Sequence, residues 1–196
     1  MSNASQPRPE LLVYKEILPG DMRKLLGQSN DTPSGGGARD LRLPWRAFRQ
    51  VMHEIFTETV ALNDGKQIRT AQISYTTANG VPTTTTLEYW PATESRPAED
   101  RVSKVHDSPA RADRLPSQEK GRVFVLFIRW SDGKATCHYA YEDDLRKTTR
   151  WAAEVRNVIL GCLADTDMKN INRSIPLATI GFYNFRDGTG YCHANK

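Results

Sequence analysis

Val123-Phe-Val-Leu-Phe-Ile-Arg-Trp130, Ser131-Asp-Gly-Lys134 and Ala135-Thr-Cys-His-Tyr-Ala-Tyr141 form the stretch that decides the fold. Two runs of β-branched and aromatic residues flank a short turn containing Asp-Gly, which reads as an antiparallel hairpin. Glu142-Asp143-Asp144 follows, an acidic start suited to a helix N-terminus. Leu145, Thr148, Ala152, Val155 and Ile159 then share one face of a helix predicted over 145–160, with Gly161 as its stop. Upstream lies a second hairpin. Gln67–Thr77 and Thr83–Trp90 flank Ala78-Asn79-Gly80, a turn in which Asn-Gly tolerates positive φ.

Farther out, Leu11–Ile17 reads as a strand and Met22–Leu26 as a short helix capped by Gly20-Asp21. Residues 28–37 are loop, and Ala38–Leu43 is a strand closed by Pro44. Trp45–Phe56 has a helical period, with Phe48, Val51, Met52, Ile55 and Phe56 as its apolar stripe. Leu177–Phe185 is a last strand. About seven strands joined largely by hairpins, with two or three helices at connections, predict an α+β domain. Its sheet is expected to be mainly antiparallel and barrel-like, not a parallel βαβ sheet. A disordered N-terminus over 1–10 and one domain over 11–196 are expected. Residues 92–120, charged and Pro-containing, read as a long surface loop in that domain.

The 196 residues carry 27 Lys and Arg against 23 Asp and Glu, a net charge of +4 that favours a polyanionic partner. Three cysteines, an odd number, argue against a disulfide framework and fit a reducing cytoplasm. No apolar run approaches the roughly 18 residues of a membrane span. Residues 1–10 show no secretion signal, so a cytoplasmic protein without a membrane partner is expected.

Catalytic chemistry finds little purchase. Cys137-His138 and Cys192-His193 lack short Cys-x-x-Cys spacing, and neighbours on a strand face apart, so no metal is expected. Asp64-Gly65-Lys66 and Asp132-Gly133-Lys134 read as turns, not as nuclease carboxylates. No Gly-x-Ser-x-Gly elbow is present. Gly35-Gly36-Gly37 fits neither a P-loop nor the dinucleotide fingerprint, so no cofactor is expected.

Arginine is the stronger signal. In Ser34-Gly-Gly-Gly-Ala-Arg-Asp-Leu-Arg-Leu-Pro-Trp-Arg-Ala-Phe48, Gly36 and Gly37 permit close approach to another molecule. Leu41 and Leu43 alternate with Asp40 and Arg42, so arginine turns away from the leucine face. Arg39, Arg42, Arg46 and Arg49 fall within eleven residues, and Arg42 can join Arg46 or Arg49 around the Pro44 corner. Such a segment suits an anion, of which nucleic acid is the commonest large one. Arg96 and further basic residues of 92–120 interleave with acidic ones, so their net field is small.

With these motifs the chain resembles the amino-terminal effector-binding domain of EcoRII-type restriction endonucleases, a DNA-binding pseudobarrel shared with some plant transcription factors. Gly35-Gly36 followed by Leu41-Arg42-Leu43-Pro44 is similar to that family's Gly-Gly turn and Leu-x-Ile-Pro. The strand ending in Trp90, the hairpin Val123–Tyr141 and the acidic helix start are similarly placed. The resemblance covers about residues 11 to 161. It implies a cleft that grips duplex DNA with two arms. The first would carry Arg39, Arg42 and Arg46, with Arg42 where the family places an aromatic residue. The second would carry Thr84, Thr86 and Glu88; Thr83–Thr86 stand where the family is rich in Arg, Lys and Glu. It further implies a restriction or genome-defence setting, no catalytic domain of its own, and a separately encoded nuclease as partner. The alternative is a small hydrolase-type enzyme using the glycine loop and Tyr183, Asp187, Tyr191 and His193.

Overall fold

A computed structural model describes residues 6–25, 40–76, 82–94, 97, 99–103, 105, 121–147, 151–174 and 177–192. In chain order the elements are β1 (Pro9–Glu16), α1 (Pro19–Leu25), β2 (Leu41–Pro44), α2 (Trp45–Ile55), β3 (Glu58–Ala61), β4 (Gln67–Thr76) and β5 (Pro82–Trp90). Then come β6 (Glu99–Ser103), β7 (Val123–Trp130), β8 (Ala135–Tyr141), α3 (Glu142–Lys147), α4 (Ala153–Asn170), β9 (Ile180–Asn184) and β10 (Gly190–Cys192). The class is α+β, and the described strands form a strongly curled, mainly antiparallel half-barrel. Strands run in the order β10-β9-β1-β7-β8-β4-β5-β6-β2, with β3 on the edge of β4. One junction is parallel, where Ile73 and Ser74 of β4 meet Ala135 and Thr136 of β8.

Two cores sit on the two faces. On the concave side, Phe48, Val51, Met52 and Ile55 of α2 pack with Val13, Ile73, Leu87, Val102 and Phe127 from the strands. The apolar stripe legible in α2 is buried as a whole, Phe56 included. On the other side, Val155, Ile159 and Leu163 of α4 cover Leu12, Tyr14, Phe124, Leu126 and Ile128. β1 and β7 are therefore covered on both faces. α4 does not extend over β5, β6 and β2, whose outer face stays polar: Arg42, Thr84, Thr86, Glu88 and Arg101 all keep some contact with water.

Four expectations need correction. Among the described residues ten strands and four helices stand where about seven and two or three were expected. Inside the segment read as a surface loop, Glu99–Ser103 is a strand between β5 and β2. Val102 is its one aliphatic residue and the inward-facing partner of Val102 is an acid, Asp100, so alternation is hidden. The helix read over 145–160 is two helices, and α4 continues nine residues past Gly161. Gly161 costs about 1 kcal/mol relative to Ala, but Cys162, Leu163 and Thr166 beyond it are buried, and that packing prevails. Finally, Cys162 and Cys192 form a disulfide, with Cα atoms 5.6 Å apart, leaving Cys137 as the buried free thiol. An odd count excludes complete pairing; it does not exclude one bridge.

Candidate nucleic-acid interface

β2 is short because Pro44 ends it and, with φ −61° and ψ 111°, turns the chain directly into α2. Leu41 and Leu43 are driven into the core, which forces Arg42 onto the opposite face. The same alternation acts on β5. Leu87 and Tyr89 are buried, so Thr84, Thr86 and Glu88 share the other face. β6 bridges the two strands: Arg42 is paired in register with Arg101, and Glu88 with Ser103. Candidates more than forty residues apart in sequence thus lie on one face, with a single strand between them.

That face is a latticework of polar contacts. Arg42 meets Glu99 at 3.2 Å, both about two-fifths exposed. Arg101 donates to the buried Asp40 at 3.1 Å and lies over the Trp90 ring, 5.7 Å from its centre. The Trp90 indole N–H donates to Glu88 and to the Ser103 hydroxyl. Gln72 of β4 donates to the Thr86 hydroxyl at 2.9 Å. Arg101, Trp90, Gln72 and Ser103 extend the set predicted from sequence. Arg101 went unassigned because its strand was read as loop.

The remaining candidates divide. Arg46 is exposed on α2. Arg49 lies on the concave side, where Nε and Nη2 donate to the two oxygens of Asp100 at 3.0 and 2.6 Å. Asp100 is fully buried and also accepts from the Tyr89 hydroxyl and from the Ala92 N–H. Burial and this carboxylate push the Tyr89 hydroxyl well above its ordinary range. The hydrogen bond to Asp100 likewise raises the Arg49 guanidinium. Gly36, Gly37, Arg39 and Arg96 lie outside the described residues, as does His193.

Of the enzyme alternative, the described residues Tyr183, Asp187 and Tyr191 share no one site with Arg42. Tyr191 stacks with Phe182 on the concave core, whereas Tyr183, in register with Gly190, faces the other way beside Phe185. Asp187 caps the β9–β10 turn by accepting from the Thr189 N–H and hydroxyl, which lowers its pKa. Arg42 lies on β2, at the opposite end of the strand order from β9 and β10. Among the described residues no three potential ligands are placed to hold a metal ion, and no helix is long and apolar enough to cross a membrane. Comparison with protein-family models, curated proteins and solved structures yields no match.

Proposed function

We propose that the outer face of β2, β6 and β5 grips duplex DNA, and that the half-barrel is a pseudobarrel of the EcoRII effector-binding type. The observation that carries this reading is the convergence of Arg42 with Thr84, Thr86 and Glu88 across β6. Two strand spacings, about 10 Å, separate the arms, comparable to a major groove about 12 Å wide. Arg42 and Arg101 supply cations for phosphate. The threonine hydroxyls supply donors and acceptors for base edges, and their methyls suit thymine. On this reading the protein acts as a recognition module in restriction or genome defence, cutting being left to a separately encoded nuclease.

Carboxylates temper the grip. Glu99 and Asp40 already hold the two arginines, so phosphate must replace them. Affinity should therefore depend on salt with a log–log slope of about −2, two phosphates neutralised, not the steep slope of a highly basic protein. Fluorescence anisotropy with a random duplex pool at two salt concentrations measures it. Arg42→Ala should weaken binding and lower the slope by about one. Sequencing the retained pool should show a preference that Thr86→Ala relaxes. Absence of binding at low salt, or an unaffected Arg42→Ala, overturns the reading.

A further inference from the structure

On the concave side, away from the face assigned to DNA, a cleft of about 230 Å³ opens between α2, β3, β4 and β5. Its polar wall is made by Arg49, His53, Thr59, Gln67, Arg69 and Tyr89, and among the described residues no carboxylate lines it. Asp100 lies behind this wall, where its two oxygens pin the Arg49 fork. Arg69, paired in register with Tyr89, enters no ion pair among the described residues; its guanidinium donates to the Phe56 carbonyl at 3.3 Å. His53 packs edge-on to Tyr89, ring centres 5.8 Å apart. Two guanidiniums on separate elements thus border the cleft, that of Arg49 held rigid by Asp100. Burial first, then the charges of Arg69 and Arg49, lower the His53 imidazole below its ordinary range, against the opposing effect of Asp100.

From this geometry we infer that the cleft binds a small phosphomonoester, its phosphoryl oxygens held by Arg49 and Arg69 with His53 as a further donor. A carboxylate is satisfied by one guanidinium fork, whereas a phosphoryl group with three free oxygens uses donors arriving from several sides. The space lies just below the range of about 300–1,000 Å³ that houses drug-sized ligands. It leaves room for a modest organic substituent. The inference does not rest on the DNA reading, because the two sites lie on opposite faces of the sheet.

The test is an NMR titration of the whole protein with phenyl phosphate, following the His53 ring and the Arg69 backbone amide. Saturable shifts there are expected. Arg69→Ala should weaken binding about tenfold or more, the loss of one charge-assisted contact, and Arg69→Lys should restore part of it. Arg42→Ala should leave phenyl phosphate binding unchanged while impairing DNA. Should Arg69→Ala fail to fold without its bond to Phe56, His53→Ala supplies the same comparison. Duplexes with and without a 5′-phosphate, run in parallel, separate a free monoester from a DNA end. No saturation, equal affinity in wild type and both variants, or a response confined to the 5′-phosphorylated duplex overturns the inference.

Discussion

Asp100 contributes four interactions from a position with no access to water: two oxygens to Arg49, one of them shared with the Tyr89 hydroxyl, the other with the Ala92 N–H. Arg49 keeps about a third of its side chain exposed, so the pair is only half desolvated. That favours a net stabilising role over the break-even typical of fully buried pairs. Asp100→Ala would strand the tyrosine hydroxyl and the amide and release the guanidinium. A loss of about 3 kcal/mol is expected, measured as a lower urea midpoint at unchanged m-value. A loss under about 1 kcal/mol would mean that water replaces these bonds. In the sequence, Arg49 was legible as one of four arginines clustered around the Pro44 corner. Its partner was not, because an inward-facing acid in a charged segment carries the same pattern as a solvated one.

At the scale of elements, local chemistry was legible and long-range closure was not. Both Asp-Gly-Lys segments are turns, as their chemistry demanded: Gly65 and Gly133 take φ of 80° and 82°, while Asp64 and Asp132 accept from the N–H two residues on. β3 and β10, four and three residues long, give too little alternation to be recognised. β9 was placed, but the role of Gly181 was hidden: a Cβ there would collide with the Tyr14 hydroxyl and the Tyr191 carbonyl. The same edge is clasped by the Cys162–Cys192 bridge, which ties β10 to α4 across 30 residues. A loop of that length corresponds to about 3–4 kcal/mol in the chain-entropy account. Reduction, or Cys192→Ser, should lower stability by that order and accelerate amide exchange in β10 while leaving β7 protected. If reduced and oxidised protein unfold together, the bridge adds nothing to the native state. Cys137 should take no part, since burial pushes its thiol up to about 12.

The whole molecule is a curled sheet that covers its centre twice and its ends once. Periodicity identified β7 and β1 as strands, and the hairpin order gave the antiparallel class. The second core depends on α4, whose length the Gly161 stop concealed and whose packing no local pattern encodes. β1 and β7 carry six or more consecutive buried residues between α2 on one side and α4 on the other. At the opposite extreme, all four residues of β3 are exposed, and among the described strands it pairs only with β4. Opening a strand buried on both faces requires separating both cores, which amounts to global unfolding, whereas β3 can detach alone. Native-state hydrogen exchange should therefore place β1 and β7 amides at the free energy of global unfolding. β3 should exchange at least about a hundredfold faster, since it can open without the approximately 3 kcal/mol or more that a packed element adds. If β3 exchanges as slowly as β7, its edge is covered in solution by something beyond the described residues. Arg69 and Thr59, which flank the phosphomonoester cleft on β4 and β3, would then be the first places to look for the covering group.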